Sequence, residues 1–369
     1  MKNISFHKKN KIIVALSGGV DSAVAAALLK KQGHEVIGVF LNFFGGKTSQ
    51  EGWVKAKNIA KKLNIPIKKI DARKEFRKKI IDCFIDFYKK GLTPNPCVVC
   101  NKEMKFGLLF DLMKKEKADF VATGHYARIN RVTRNMEHVT KKGLRVTCLA
   151  DGRASYELWE AKDKTKNQSY FLYRLTQKEL SKIIFPLGDY KKTEVKKIAK
   201  KLKLPVAPNE SQDICFVRDN DVNRFLRQCI KMKPGKIVDM GGNVLGKHRG
   251  LPLYTIGQRK GIEIGGTGPY FVIEKNIQKN ELFVAKDPGK LLTKKFQVSQ
   301  VNWIKRGIKF PLRAQLQIRY RAEKFSATIK RARSGKWEVR CEKFLRAVTA
   351  GQSAVFYKNK EVLGGGIII

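Results

Sequence analysis

The chain has 369 residues, more than one ordinary hydrophobic core organises, so two or three domains are expected. Hydrophobic residues make up 43% and charged residues 30%, which excludes a disordered chain. Lys and Arg number 77 against 32 acidic residues, a net charge of +45 that an enzyme of small anions does not need; it implies a polyanion such as nucleic acid, with part of the charge read as solvated lysine on outer helix faces.

Residues 11–125 alternate between strand and helix patterns. Ile12–Leu16 is a short apolar run suited to a buried parallel strand. A helix is expected from Ser22 to Gln32, a strand from Val36 to Leu41, a helix from Gly52 to Leu63 and a strand from Pro66 to Ile70. A helix over Phe76–Tyr88 and a strand at Phe120–Ala122 complete the pattern of a doubly wound parallel sheet. Ala127–Ile129, Leu144–Leu149 and Tyr156–Glu160 read as β-structure, and helices return at Gln177–Ile184 and Lys191–Lys201. Leu204–Pro208 reads as extended. A glycine-rich middle carries β-type runs at Tyr270–Glu274 and Glu281–Ala285. Residues 289–369 hold nineteen Lys and Arg against four acidic residues. There, Ala314, Leu316, Ile318 and Tyr320 alternate with Arg313, Gln315, Gln317, Arg319 and Arg321, and Phe325, Ala327 and Ile329 repeat the period of two, as in a small β-barrel with one cationic wall.

No run approaches eighteen apolar residues, so no membrane span is expected. Met1–Asn10 lacks the apolar core of a secretory signal, and seven unevenly spaced cysteines do not read as a disulfide scaffold. A cytoplasmic protein with reduced thiols is expected.

Ser17-Gly18-Gly19-Val20-Asp21-Ser22 lies directly between the first strand and the first helix. Glycines permit a sharp turn, the helix start presents free N–H groups, and two serines add hydroxyls, which together cradle a phosphate. The Lys of a Walker A loop is missing, and the glycine spacing is not that of a dinucleotide site. Cys97 and Cys100 follow two stiffening prolines, Pro94 and Pro96. A helix is expected just after Asn101, which would put Cys100 near its N-terminus, where a thiolate is favoured. Cys215, in Ser211-Gln212-Asp213-Ile214-Cys215, has a polar loop setting suited to a reactive thiol. Cys83, Cys148, Cys229 and Cys341 read as small buried hydrophobes.

The hexapeptide resembles the pyrophosphate loop of the ATP pyrophosphatases. Further segments narrow the likeness: Thr93–Gly107 (TPNPCVVCNKEMKFG), Ala122–Arg128 (ATGHYAR), Lys166–Leu175 (KNQSYFLYRL), Ser211–Val217 (SQDICFV) and Leu251–Ile262 (LPLYTIGQRKGI). With Ile318-Arg319-Tyr320-Arg321 in the basic barrel, they resemble the bacterial tRNA-specific 2-thiouridylases.

That resemblance implies a doubly wound parallel-sheet pyrophosphatase domain over residues 1–217, a small β-rich central domain over 218–288 and a tRNA-binding C-terminal β-barrel over 289–369. It implies an ATP-dependent replacement of the C2 oxygen of uridine 34 by sulfur. ATP would be bound by Ala15, Leu16, Ser17, Gly18, Gly19, Val20, Asp21 and Ser22, with Leu41 beside the adenine, Gly124 near the nucleotide, and Asp21 helping to hold Mg²⁺. By the same resemblance Cys100 is the nucleophile and Cys215 carries a persulfide, the two closing a transient disulfide. Asn95, Pro96 and Cys97 match a loop that holds the target base, and Lys166, Asn167, Gln168, Arg319 and Tyr320 match tRNA contacts. The implied partners are tRNA of the Lys, Glu and Gln isoacceptors and a cysteine desulfurase or sulfur relay, with a monomer as the working form.

Three departures stand out: Cys97 and Asn167 where the family often has Asp, and a short Asn42–Gly52 stretch without the usual acidic run. Cys97 opens a second route, an iron–sulfur cluster on Cys97, Cys100 and Cys215, ranked below the persulfide. Another tRNA-modifying ligase of the pyrophosphatase class is the rival function, and no resident metal site is assigned.

Overall fold

The computed structural model describes residues 9–132, 155–206, 214–262, 264–265 and 268–369. Met1–Lys8, the β-type run expected at Leu144–Leu149 with Cys148, residues 207–208 of the extended segment, and Ser211–Asp213 lie outside the described residues.

Five parallel strands form the first sheet: β1 (Lys11–Ala15), β2 (Glu35–Asn42), β3 (Ile67–Asp71), β4 (Phe120–Ala122) and β7 (Ile183–Ile184), in the order β3-β2-β1-β4-β7. Ile12, Ile13 and Val14 are fully buried, as a central parallel strand covered on both faces requires. The chain runs outward from β1 to β3 and then returns to β4 on the other side of β1. That reversal opens a crevice at the carboxyl ends of β1 and β4.

Helices α1 (Val20–Lys31), α2 (Gly46–Leu63) and α8 (Lys192–Lys201) flank this sheet. α2 begins six residues before the expected Gly52. The expected Phe76–Tyr88 helix is α3 (Arg73–Phe76), a π-helical stretch Arg77–Asp82 and α4 (Cys83–Lys89). The expected helix over Gln177–Ile184 is corrected: α7 (Gln177–Leu180) is a short capped turn, with Thr176 and Glu179 forming a reciprocal box, and Ile183-Ile184 is an edge strand on β4. The β-branched pair fits there because Ile183 lies in register with Val121 and is fully buried. Residues 204–206 form no regular element, and Leu204 packs into the core.

α9 (Val222–Cys229) leads into a four-stranded sheet of β8 (Gly235–Val238), β9 (Val244–His248), β10 (Phe271–Asn276) and β11 (Glu281–Ala285), ordered β10-β11-β8-β9. The last fifth is a closed antiparallel barrel of β12 (Leu292–Trp303), β13 (Leu312–Gln317), β14 (Phe325–Arg331), β15 (Trp337–Arg346), β16 (Ser353–Lys358) and β17 (Glu361–Ile368), sealed by β12 against β17. The alternation read through Arg321 stops being strand at Gln317. The Gln317 amide donates to the Ala322 carbonyl at 2.9 Å, and Arg319–Arg321 turn out of the sheet.

The first and last parts share a sheet. β5 (Ala127–Val132) and β6 (Ser155–Glu160) pair antiparallel, and β6 then pairs with the start of β17 through Trp159–Glu361 and Leu158–Val362. Lys305 reaches Glu157 at 2.7 Å and Glu361 at 2.9 Å across this junction, and Lys324 reaches Glu160 at 2.7 Å. The Asn302 amide donates to the carbonyls of Tyr173 and Leu175 at 2.6 and 3.0 Å. Among the described residues no helix is long and apolar enough to cross a membrane.

Gly365 marks how tightly the barrel closes: a Cβ there would sit 2.8 Å from both the Ala354 carbonyl oxygen and the Tyr173 ring. Gly365→Val should therefore lower stability to urea by about 1–3 kcal/mol. Gly246→Ala, where a Cβ meets nothing within 4 Å, should stay within about 0.5 kcal/mol of wild type; equal midpoints for the two variants would refute this picture of the junction.

Candidate active site

The expected phosphate loop occupies the crevice. Ala15 ends β1, Leu16 follows it, and the Leu16 N–H donates to the Val39 carbonyl at 2.7 Å. Gly18 has φ +85°, and a Cβ there would lie 2.9 Å from Lys55 Cβ and 3.0 Å from the Gly52 carbonyl oxygen, so the turn admits only glycine against α2. Ser22 Oγ donates to the Gly19 carbonyl at 3.0 Å and accepts from the Ser17 N–H at 3.2 Å. Gly19 caps α1 with extended backbone and no side-chain acceptor, so no side chain blocks the N–H groups of the first turn. Gly124 closes the other wall: a Cβ would meet Asp21 C and Ser22 N at 2.8 Å. Leu41 lies near the carboxyl end of β2, the strand beside β1. All the residues expected at the nucleotide are thus brought to one edge of the sheet.

Asp21, expected to help hold Mg²⁺, already has partners. Lys192 Nζ lies 2.7 Å from both carboxylate oxygens, and the Tyr126 hydroxyl donates to Oδ1 at 2.8 Å.

The thiols lie on a different frame from the expected one. Asn95 caps a helix that begins at Pro96 and runs through α5 (Pro96–Val99), a π-helical stretch Cys100–Phe106 and α6 (Gly107–Lys115). Cys100 is therefore inside the helix rather than at its start, and the expectation of a dipole-favoured thiolate is overturned. Burial pushes the Cys100 thiol up to about 12, an effect that the nearby Lys105 ammonium reduces and that Cys215 and Cys97 reinforce. Cys215 is exposed as a residue, yet desolvation of its sulfur raises its pKa too, again moderated by Lys105. Phe216 fastens this loop into the apolar cluster of Cys100, packing edge-on against Phe76 at 6.1 Å and Phe84 at 5.2 Å. Of the remaining cysteines, Cys341 is buried as expected, whereas Cys229 is half-buried and Cys83 is exposed.

The loop before the helix is held by the barrel. Thr93 N–H donates to Ala350 O at 3.0 Å, and the Gln352 amide donates to Thr93 O at 2.9 Å and Pro94 O at 3.3 Å. The Asn95 side chain hydrogen-bonds Tyr170, whose hydroxyl donates to Ser353 O at 2.9 Å. The Tyr320 ring lies 4.5 Å from Phe171 and 6.2 Å from Tyr170, and the Arg319 charge is felt at Tyr170.

Family models match the chain in three consecutive pieces: one described as tRNA methyl transferase HUP domain over residues 10–219, one as tRNA methyl transferase PRC-barrel domain over 223–286, and one as aminomethyltransferase beta-barrel domain over 293–368. The chain is 41% identical to the tRNA-specific 2-thiouridylase MnmA of Chloroflexus aurantiacus, over 97% of this chain and 98% of that one. It is 39% identical to the enzyme of the same name from Clostridium perfringens, over 98% of each. The chain belongs to the tRNA-specific 2-thiouridylase family. The domain descriptions speak of methyl transfer and the relatives' name of thiolation; each relative matches nearly the whole chain in one alignment. Among solved structures, the U34-tRNA thiolase NcsA from Methanococcus maripaludis aligns with 20% identity and a TM-score of 0.35, over 56% of this chain and 62% of that one.

Within this thiouridylase frame the remaining expected residues divide. Asn95, Arg319 and Tyr320 gather around Tyr170 and Pro96 starts the helix after Asn95, whereas Lys166, Asn167 and Gln168 lie on the nucleotide side. Asn167 accepts from the N–H groups of Ala161 and Ser169 at 3.2 Å and donates to Glu160 at 3.0 Å, and Gln168 accepts from the Tyr126 N–H at 3.0 Å. Arg319 is exposed, but its guanidinium also donates to Ala347 O at 2.6 Å. Among the described residues no three His, Cys, Asp or Glu side chains stand at metal-binding spacing.

Lys105, Lys192, Tyr126 and Tyr170 were not singled out from sequence. Lys105 follows Cys100 by five residues, the repeat at which π-helical turns close, and nothing in its local pattern announces a π stretch.

At pH 8 a thiol at about 12 has roughly a thousandfold less thiolate than an ordinary one near 9. Iodoacetamide should therefore modify Cys215 well before Cys100, and Cys100 labelling should keep rising with pH through 10 without a plateau. Lys105→Met should slow Cys215 labelling further. Mass mapping that finds both sites modified at one rate would contradict the assignment.

Proposed function

We propose that this protein is an ATP-dependent tRNA uridine 2-sulfurtransferase acting at position 34. The observation that carries the reading is the convergence of an open pyrophosphate loop with Cys100 and Cys215, which interact electrostatically and share the cation Lys105. His125 supports it. Its ring is buried between Phe106 and Phe185, one residue beyond the nucleotide-wall Gly124, and it too feels Lys105, so the nucleotide wall and the sulfur site adjoin.

In this reading the uridine leaves the anticodon stack and enters between the two sites. Its C2 oxygen attacks the α-phosphorus of ATP, and pyrophosphate departs into the loop. Cys215 carries a persulfide. The Cys100 thiolate attacks Cys215 Sγ, forming the Cys100–Cys215 disulfide and releasing hydrosulfide. Hydrosulfide attacks C2, and AMP leaves with the original oxygen. A thiol reductant restores both cysteines. Both Asp21 oxygens already accept hydrogen bonds from Lys192 and Tyr126, so Asp21 is no free ligand, and Mg²⁺ bound with the ATP phosphates would supply charge neutralisation for the leaving pyrophosphate. The persulfide route is preferred to the three-cysteine cluster because Cys97, Cys100 and Cys215 do not stand at metal-binding spacing.

The basic barrel would bind the anticodon stem through phosphates, making affinity steeply salt-dependent. Asn95, Pro96 and Cys97 would hold the flipped base, with Arg319 and Tyr320 beside them and Lys166, Asn167 and Gln168 contacting tRNA from the nucleotide side. The tRNA set (Lys, Glu and Gln), a cysteine desulfurase or relay as donor, a cytoplasmic setting and a monomer complete the proposal.

Nucleoside mass spectrometry of unmodified tRNA, incubated with ATP, Mg²⁺ and a persulfide donor, tests it. Wild type should form 2-thiouridine, and Cys100→Ser and Cys215→Ser should form none; thiolation by either variant would overturn the cysteine roles. Gly351, at φ +91°, would place a Cβ 2.9 Å from the Thr93 carbonyl oxygen. Gly351→Ala should displace the base-holding loop and slow thiolation up to about 100-fold, while ATP binding is kept; an unchanged rate would remove the barrel from positioning that loop.

A further inference from the structure

Cys97 and Cys100 share a single helical turn. Cys97 is the second residue of the helix that opens at Pro96, and Val99 (φ −67°, ψ −45°) and Cys100 (φ −58°, ψ −45°) continue it. The Cys100 N–H donates to the carbonyls of both Pro96 and Cys97. The second of these bonds spans three residues and belongs to a tightened turn, in which side chains three positions apart come into line. Helix geometry puts the two Cα atoms about 5 Å apart, inside the range of roughly 4.4–6.8 Å that a disulfide bridges. Cys97 and Cys215 both act on the charge of Cys100, so the three sulfurs form one group.

Access differs across the group. Cys100 is buried, Cys97 is half-buried and Cys215 is exposed as a residue. A bond between Cys100 and Cys215 leaves Cys97 one turn from its buried half. In thiol–disulfide exchange the better leaving group departs faster. Attack on Cys100 Sγ expels Cys215, whose thiolate the Lys105 ammonium favours. Attack on Cys215 Sγ would instead expel Cys100, the buried thiol that desolvation pushes up to about 12. Cys97 is also kept in place, because Thr93 and Pro94 ahead of it are tied to Ala350 and Gln352 of the barrel.

We propose that Cys97 is a resolving cysteine, which moves the disulfide left by sulfur release from Cys100–Cys215 to Cys97–Cys100. The Cys97 thiolate attacks Cys100 Sγ; the Cys97–Cys100 bond forms as the Cys100–Cys215 bond breaks. Cys215 leaves as a thiolate and takes up the proton that Cys97 gave up. One disulfide replaces another, so no oxidant or reductant is consumed, and Cys215 is ready for a new persulfide. The thiol reductant then acts on the Cys97–Cys100 bond. The inference rests on the proposed roles of Cys100 and Cys215.

Disulfide mapping after one turnover tests it. One tryptic peptide, Gly91–Lys102, carries both Cys97 and Cys100, and another, Leu204–Arg218, carries Cys215. The full chain is loaded by the persulfide donor, freed of it, given ATP, Mg²⁺ and unmodified tRNA without reductant, quenched in acid and alkylated. Wild type should end with an internal disulfide in Gly91–Lys102 and with Cys215 alkylated. Cys97→Ser should end with the two peptides cross-linked, in proportion to the 2-thiouridine it forms. That cross-link should outlast the wild-type one by at least about 100-fold, because the attack from within the same turn is gone. Cys97→Ala is the second variant, and the wild-type map decides alone where neither variant turns over. Wild type that keeps the cross-link with Cys97 alkylated overturns the inference and leaves the roles of Cys100 and Cys215 intact. So does a Cys97→Ser cross-link lost as fast as the wild-type one. No 2-thiouridine from wild type, or 2-thiouridine with no disulfide of either kind, overturns those roles and this inference together.

Discussion

Tyr170 is the point at which three parts of the molecule meet. Its ring is buried, its hydroxyl bonds to the barrel at Ser353, and it receives the Asn95 side chain from the loop ahead of the cysteine helix. Two residues earlier, Gln168 exchanges hydrogen bonds with the main chain of Tyr126, whose hydroxyl holds Asp21 in the phosphate loop. One short segment, Gln168–Tyr170, thus fixes the phosphate-loop crevice, the loop ahead of the cysteine helix and the barrel relative to one another. The proposed reaction, which joins ATP, a tRNA base and a protein sulfur, needs such a fixture, because its reacting atoms come from three separate bodies.

The burial of Cys100 then acquires a use. A thiol kept protonated by a dry setting is protected from adventitious oxidation, since the thiolate is the reactive form. Lys105 offsets part of that burial for both cysteines.

Much of this was legible in the sequence. The apolar run Ile12–Leu16, the loop after it and the two-residue period over Ala314–Leu316 each carry a local physical signal, and each falls where that signal put it. What was missed is non-local or geometrically unusual. Lys192 meets Asp21 across 171 positions, and no local period encodes that meeting. The helix carrying Cys100 starts early because Pro96 suits a first helical turn, which leaves the cysteine inside the helix rather than at the expected N-terminus. Ile183-Ile184 continued a helical pattern in sequence, but an open sheet edge beside β4 claimed it.

The pairing of β6 with β17 also bears on how the chain is made. Trp159 and Leu158 wait for Glu361 and Val362, which a ribosome delivers about 200 residues later, or roughly 10–40 s at ordinary elongation speeds. Through that interval the newborn first domain carries an unpaired strand edge, a feature that invites association with other chains. Only the final strand of the barrel covers it. The closing strand of the barrel is thus what completes the first part folded, and a chain released before it would be sticky as well as short.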